Sequence, residues 1–309
     1  MQGIGDDAAV VRALPVCVTS LDTMVDGVHF RLAAGWMTPA QVGWRALAGA
    51  LSDLAAMGVR AGEAYLSLGL PHGISEQAAL QIVSGADALA RSCETEIAGG
   101  DVVSSPVLSV SVTVVGWAAS EREIVMRAGA NVGDLVGVTG TLGGAGAALT
   151  ILEGRAEGAE HRERLLERTR APVPRLTEGA VLAANGASAM IDLSDGLASD
   201  AAQLARAGCV GLQIDLESLP VQAGVGSVAA ELGVSVWDLA AASGDDYELC
   251  FCAPERLRGR IESALADCGG VDVSWVGRVL EGNPAVPVLE LREHGQPREL
   301  RGFEHRWGS

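Results

Sequence analysis

Val107-Leu-Ser-Val-Ser-Val-Thr-Val-Val-Gly-Trp117 alternates, with Leu108, Val110, Val112 and Val114 on one side and Ser109, Ser111 and Thr113 on the other. A period of two marks a β-strand lying in a sheet with one face less apolar than the other. Ala64–Leu70 repeats the pattern, with Ala64, Leu66, Leu68 and Leu70 on one face. Between the two runs, Ser75–Arg91 reads as an amphipathic helix, and 96–101 as a short strand ending in a Gly-Gly-Asp turn. Upstream, Thr38-Pro39 is a helix start, an N-cap followed by Pro at the first helical position. Trp44, Leu47, Leu51 and Leu54 then recur at three- and four-residue spacing, and Gly58 ends the helix. Val16–Thr19 reads as a short buried strand delivering Ser20 and Asp22 to its end. Strand and helix alternate, which predicts an α/β or α+β domain built on a layered sheet.

At 309 residues the chain is long for one core, so two domains are expected. The character changes near residue 120, where the turn-rich 127–134 begins, and we divide the chain into 1–122 and 123–309. In the second part Leu135–Thr139, Ala189–Asp192, Val210–Leu216, Leu249–Ala253, Val273–Val279 and Val286–Arg292 read as strands. Leu197–Ala207 and Pro254–Cys268 read as helices, and Val225–Ala242 as two short ones broken near Gly233. The charge-dense 153–175 reads as a surface helix stopped by Pro172 and Pro174. Gly140-Thr-Leu-Gly-Gly-Ala-Gly146 resembles a phosphate loop only superficially, and its glycines are expected to start a helix tightly against a sheet.

Composition narrows the function. A hydrophobic content of 49% with 20% charged residues is that of a globular protein, and a net charge of −17 argues against nucleic acid as partner. No run of 18 apolar, uncharged residues exists, and no basic region precedes an apolar core, so neither a membrane span nor a signal peptide is expected. Six cysteines show neither disulfide-like nor zinc-like spacing. They are expected to be reduced, mostly buried thiols of a cytoplasmic protein, with Cys250 and Cys252 on opposite faces of a strand. All 22 basic residues are Arg. A Walker-type loop and a protein kinase both need a Lys on the phosphates, so neither device is present.

What the chain does have is paired acid. Gly3-Ile4-Gly5-Asp6-Asp7, Ser20-Leu21-Asp22, Asp53, Asp101, Asp192 with Asp195, and Asp245-Asp246 mostly follow apolar runs, where strands are expected to give way to loops. Hard cations such as Mg²⁺ take oxygen ligands of this kind. The plain alternative is that loops are acidic in an acidic protein. Asp53 lies near a helix C-terminus, where the dipole disfavours an anion by roughly 0.3–1 kcal/mol unless a cation offsets it. Asp192, Ser194 and Asp195, at i, i+2 and i+3 in one loop, can converge on one ion. Asp200 falls inside the following helix and reads as an ordinary surface residue. His29 lies beside the acidic group and is either a ligand contact or a satisfied structural histidine. Phe303 and Trp307 in the tail either pack on the body or stack on a ring.

Taken in order, Gly3–Val10, Ser20–Thr23 with His29, Leu51–Gly58, Gly99–Asp101, Arg127, Ile191–Leu197 and Ser243–Leu249 resemble the motifs of the thiamine-monophosphate kinases. That family belongs to the superfamily that also contains aminoimidazole ribonucleotide synthetase. The resemblance implies a two-domain PurM-like α/β (α+β) fold, with an ATP- and Mg²⁺-binding N-terminal sheet domain that pairs in a homodimer. A C-terminal α/β domain follows, and ATP lies between the domains. The implied reaction is ATP-dependent phosphorylation of thiamine monophosphate. By the same resemblance Asp7, Ser20, Leu21 through its backbone, Asp22, Asp53, Asp101, Asp192 and Asp195 hold several Mg²⁺ ions. Gly100, Asp101, Arg127 and Ser194 contact ATP, and His29, Asp245 and Phe303 contact the thiamine phosphate. No covalent nucleophile or general base is expected. The family usually carries a helical segment before the Gly-Ile-Gly-Asp-Asp motif, Glu where Asp245 stands, and Tyr or Trp where Phe303 stands. A non-catalytic Mg²⁺- or nucleotide-binding relative and another purine-synthetase-like enzyme are the competing readings.

Overall fold

The structure, a computed structural model, describes residues 8–282, 288–300 and 302 and separates into two compact units. The first comprises Met1–Leu54, Val59–Glu123 and Arg170–Leu176; the second comprises Ala55–Gly58, Ile124–Thr169 and Thr177–Ser309.

In chain order the first unit contains β1 (Val16–Val25), α1 (Pro39–Ala56), β2 (Ala61–Leu70), α2 (Glu76–Ser92), β3 (Glu96–Ser104) and β4 (Ser109–Ala118). The alternating stretch is β4. It lies inside a four-stranded sheet of order β1-β4-β2-β3, antiparallel to both of its neighbours, while β2 and β3 run parallel. The register sets Val112 between Asp22 and Leu66, and Val114 between Ser20 and Ala64. One sheet face therefore carries the buried Val110, Val112, Val114, Ala64, Leu66 and Leu68. The other carries Ser109, Ser111 and Thr113 and stays half-open. On the apolar face Gly116 of β4 packs against Leu54 of α1. Leu47, Leu51 and Leu54 are wholly buried, each worth roughly 1.5–3 kcal/mol relative to exposure.

Helix α1 starts as the sequence predicts. Thr38 Oγ1 accepts the Gln41 N–H at 3.3 Å, and Gln41 Oε1 accepts the Thr38 N–H at 2.9 Å. Gly58, at φ +69°, closes its C-terminal end. Helices α1 and α2 cross backbone on backbone. A Cβ on Gly43 would stand 1.8 Å from the Ile82 carbonyl oxygen, and one on Gly85 1.8 Å from that of Ala40.

Two expectations are corrected here. Ser20, Leu21 and Asp22 do not follow a strand but lie inside β1, whose ten residues all pair with β4. Asp101 likewise lies within β3, not in a terminal turn. Hydroxyls and carboxylates are tolerated in both because β1 and β3 are the edge strands of the sheet.

The second unit contains β5 (Leu135–Thr139), α3 (Gly144–Leu152), α4 (Arg162–Arg170), α5 (Leu176–Ala184), β6 (Ala189–Asp192), α6 (Leu197–Gly208) and β7 (Gly211–Asp215). It continues through α7 (Val225–Leu232), α8 (Val236–Ala240), β8 (Leu249–Ala253), α9 (Arg258–Asp267), β9 (Val273–Leu280), β10 (Leu289–Glu293) and β11 (Gln296–Pro297). The strands form a seven-stranded mixed sheet of order β11-β10-β7-β9-β5-β8-β6. Strands β5, β6 and β8 are buried along their whole length, which explains their unbroken apolar runs.

Three readings of the second half change. The charge-dense segment is not one surface helix: α4 starts at Arg162 and buries Leu165, Leu166 and Thr169. Cys250 and Cys252 sit in the same core cluster, because residues two apart on a strand share a face. The thiols are not mostly buried either, since Cys17, Cys209 and Cys268 are exposed. Among the described residues no helix is long and apolar enough to cross a membrane.

Candidate active site

In the first unit the site begins where β1 faces the last turns of α1. Ser20 Oγ donates to Asp53 Oδ2, joining strand and helix. Asp22 lies two residues further along the same sheet face, and its Oδ1 accepts the Thr23 N–H at 2.7 Å. Leu21 points to the opposite face and is 65% exposed, so only its backbone can join the group. The chain then turns through His29, whose Nδ1 accepts the Val25 N–H at 3.1 Å. With that nitrogen used as acceptor, a neutral ring carries its proton on Nε2, which is then the donor available to a ligand. The His29 carbonyl accepts from the buried Arg45 at 3.0 Å, and Phe30 behind it is fully buried, so the turn is anchored from below.

Gly100 and Asp101 lie elsewhere. Asp22, Val112, Leu66 and Gly100 form one row across the four strands. Three strand spacings place Gly100 roughly 14 Å from Asp22. Asp101 lies in the row of Ser67 and Ser111, on the opposite face from Asp22, and its Oδ1 accepts the Val102 N–H at 2.9 Å. Within one sheet it therefore cannot share an ion with Ser20, Asp22 and Asp53. Gly100 also has a packing reason to be glycine: a Cβ there would come 2.0 Å from the Leu66 carbonyl oxygen.

The second unit carries two loops laced together. One leaves β6 at the buried Asp192 and runs to Gly196; the other, Ser243–Glu248, enters β8. Leu193 N–H donates to the Glu248 carbonyl at 2.8 Å, Tyr247 N–H to that of Leu193 at 3.0 Å, and Asp245 N–H to that of Ser194 at 2.9 Å. Ser194 is exposed, Asp195 half-buried, and Gly196 at φ +99° releases the chain into α6. Arg127 is exposed and donates to Gln203 Oε1 on α6 at 3.1 Å, which places it beside the same loop.

Asp200 corrects the reading of an ordinary surface residue. It is 2% exposed, and its Oδ2 accepts the Asp195 N–H at 3.0 Å. Burial, then the like charges of Asp192 and Asp195, push its carboxyl up to about 8. A periodicity signal for this existed: Asp200 is three residues after Leu197 and four before Leu204, on the buried stripe of α6.

The glycine-rich loop before α3 is closed to outside anions. Asp246 supplies the anion itself, its two oxygens accepting from Gly143 N–H at 2.6 Å and Ala145 N–H at 3.1 Å. Burial pushes this carboxyl up to about 6 against the pull of Arg168 and those two N–H groups. Glu248, fully buried, accepts from Thr139 Oγ1 at 2.9 Å and pairs with Arg168 at 3.0 Å. Arg168 also donates to the carbonyls of Thr141 and Asp246. Asp245, just before Asp246 in sequence, receives the Tyr247 hydroxyl on Oδ1 at 3.0 Å.

These donors fit Mg²⁺ chemistry. They are hard carboxylate and hydroxyl oxygens, and Asp192 and Asp195 add like charge beside the buried Asp200 that a cation would offset. Among the described residues, no three acidic, His or Cys side chains already stand close enough to hold an ion by themselves. Asp7 and Phe303, both expected in the site, lie outside the described residues.

Two α/β units, each with a group of oxygen ligands, are what this chain shares with the AIR synthase related class, which its sequence matches in both halves. Residues 5–118 match the family model of the AIR synthase related protein N-terminal domain, and residues 131–289 that of its C-terminal domain. Within that class, thiamine-monophosphate kinase of Salmonella typhimurium is 34% identical over 310 residues, covering 98% of this chain and 91% of the relative. The crystal structure of thiamine-monophosphate kinase from Stenotrophomonas maltophilia K279a superposes with a TM-score of 0.84 at 33% identity, covering 96% of this chain and 92% of that one. The related AaThiL, complexed with AMPPCP and TMP, has a TM-score of 0.81 at 28% identity, covering 94% and 87%. The chain belongs to the thiamine-monophosphate kinase family.

Proposed function

We propose that this protein phosphorylates thiamine monophosphate to thiamine diphosphate at the expense of ATP, with several Mg²⁺ ions at the site. The observation that carries the reading is near-full-length similarity to thiamine-monophosphate kinases, one of which, AaThiL, is known in complex with AMPPCP and TMP. A terminal phosphate oxygen of thiamine monophosphate attacks the γ-phosphorus in line; the new P–O bond forms as the bond to the ADP oxygen breaks. The attacking monoester is already largely ionised at neutral pH, so no general base is required. The chain's task is to hold two anions together and aligned. Bound Mg²⁺ neutralises their charge.

We assign Ser20, Asp22 and Asp53, with the Leu21 backbone and Asp7, to one group of metal ligands, and Asp192 and Asp195 to another. Arg127, Ser194, Gly100 and Asp101 are assigned to ATP, and His29, Asp245 and Phe303 to thiamine monophosphate. The pairing of Ser20 with Asp53 and the grouping of Arg127, Ser194, Asp192 and Asp195 around the start of α6 support these assignments. We further propose that 1–122 is the ATP-, Mg²⁺-binding and dimerisation domain, and that two copies pair through it. The half-open sheet face, with Leu21 at 65% and Val103 at 48% exposed, supports that surface. Free cysteines support a reducing, cytoplasmic location.

Mixing protein, ATP and Mg²⁺ should release ADP only when thiamine monophosphate is added. Release without it would support another ATP-consuming enzyme of the class, and tight nucleotide binding without turnover a non-catalytic relative. Asp22→Asn and Asp195→Asn should each lower kcat by at least about 100-fold with an unchanged circular dichroism spectrum. Near-normal turnover of either variant at saturating Mg²⁺ would remove that residue from the metal site.

A further inference from the structure

The loop that carries Asp192, Ser194 and Asp195 joins α6 without a side-chain cap. Gly196 stands at the N-cap position at φ +99° and has no side chain to offer the first turn. Backbone crowds it on one side. A Cβ on Gly196 would stand 2.8 Å from the Ser243 carbonyl oxygen, and one on Gly244 2.2 Å from that of Ser194. The opposite restraint comes from inside the helix. Asp200 Oδ2 accepts the Asp195 N–H at 3.0 Å, from a residue only 2% exposed. In a capping box the third helical residue bonds back to the N-cap N–H. Asp200 is the fourth residue of α6, and its bond ends on the residue before the N-cap. It therefore reaches past the helix start and holds the loop itself.

We propose that Asp200 is a positioning residue for the metal site of the second unit: by accepting the Asp195 N–H it fixes the backbone from which Asp195 serves as a ligand. The proposal rests on Asp195 being a metal ligand, as assigned above. A ligand on a mobile loop must lose backbone freedom when the ion arrives, whereas a peptide already held gives up less. Here the peptide is held from both sides, by Asp200 at the Asp195 N–H and by the Asp245 N–H at the Ser194 carbonyl, 2.9 Å away. The acceptor oxygen is the working part of Asp200, and its charge is not. A second buried negative charge beside Asp192 and Asp195 adds cost, while a neutral oxygen at the same reach makes the same hydrogen bond. Outer hydrogen bonds of this kind commonly orient metal ligands, and removing one weakens the ion by roughly 10- to 100-fold.

Titrating the metal-free protein with Mn²⁺ alone, and following the free ion by electron paramagnetic resonance, tests this without any turnover. The site to follow is the one that Asp195→Asn weakens. For that site Asp200→Ala should raise the Mn²⁺ dissociation constant about tenfold or more, whereas Asp200→Asn, which keeps an acceptor oxygen, should stay within about threefold. Amide hydrogen exchange should show the cause: the Asp195 N–H is protected in the parent and in Asp200→Asn, and exchanges faster in Asp200→Ala. An unchanged dissociation constant in Asp200→Ala overturns the proposal even if that variant melts earlier, since the carboxylate then only steadies α6. Asp200→Asn binding as weakly as Asp200→Ala overturns it too, because charge would then be what counts. Should Asp200→Ala not fold, Asp200→Ser takes its place; its oxygen falls short of the Asp195 N–H, and it must show the same loss. If Asp195→Asn leaves Mn²⁺ binding unaltered, the metal assignment fails and this inference with it. If the variants bind Mn²⁺ in the expected order but the parent forms no ADP with thiamine monophosphate, the kinase reading alone is wrong.

Discussion

Asp200 shows most directly what a single residue costs in this protein. Its folded carboxyl is raised to about 8 from the ordinary value of 3.8, by burial first and by Asp192 and Asp195 next. A raised acid binds its proton more tightly folded than unfolded. Its contribution to stability is therefore fully present below about pH 4 and is lost as pH rises towards about 8. In chelator-treated protein Asp200→Asn should leave the melting temperature near that of the parent at pH 4.5 and raise it at pH 8; equal melting at pH 8 would show that the carboxylate is not penalised. Reading Asp200 as surface came from charge alone, where its helical position beside Leu197 and Leu204 carried the better information. Cysteine reactivity can be stated at the same scale. Burial pushes Cys250 up to about 12 and raises Cys252 well above the ordinary thiol value. Iodoacetamide at pH 8 should therefore label Cys209 and Cys268, which are exposed, and leave Cys250 and Cys252 unmodified until the protein unfolds.

Helices and strands were legible wherever one physical signal acted alone. The Thr38-Pro39 start, the Gly58 stop and the alternation in β4 are local, and the structure has all three. Misreadings and omissions came where partners lie far away. The loop before α3 is no phosphate cradle, as its sequence predicts, but what fills it, Asp246, is 103 residues downstream of Gly143 and was not legible. Helix α4 looks solvated because its charges are dense, yet Arg168 is only 18% exposed and serves Glu248, Asp246 and Thr141. Removing that guanidinium takes the Arg168 partner away from the fully buried Glu248 and from Asp246. Arg168→Ala should cost roughly 3–5 kcal/mol in denaturant unfolding, far more than the same change at the exposed Arg91. The α1–α2 crossing makes a second element-scale prediction. Gly85→Ala places a methyl carbon 1.8 Å from the Ala40 carbonyl oxygen, so the two helices must separate. Loss of roughly 2 kcal/mol or more is expected, by equilibrium unfolding, where most surface Gly→Ala changes in helices stabilise.

For the molecule as a whole, the motifs name candidate residues but not where they stand. Ser20, Asp22 and Asp53 gather on one side of the sheet, while Gly100 and Asp101 lie roughly 14 Å away across it. Spacing in sequence holds no information on that distance, which strand order alone fixes. The proposed pairing of two copies has a simple reporter. Cys17 lies opposite Trp117 on the half-open face, so pairing through that face should shield its thiol. Its alkylation rate should rise on dilution while that of Cys209 stays constant; rates independent of concentration would argue against that surface. The carboxylate of Asp246 at the start of α3 has a further consequence at this scale. On the proposed reading, a chain that fills its own anion hole and has no lysine to offer leans on ions borrowed from solution, beside Arg127 and Ser194, to hold a triphosphate. Nucleotide retention thereby becomes a function of free divalent cation. Material purified in chelating buffer should emerge stripped of nucleotide, and adding Mg²⁺ back should restore uptake without any refolding step.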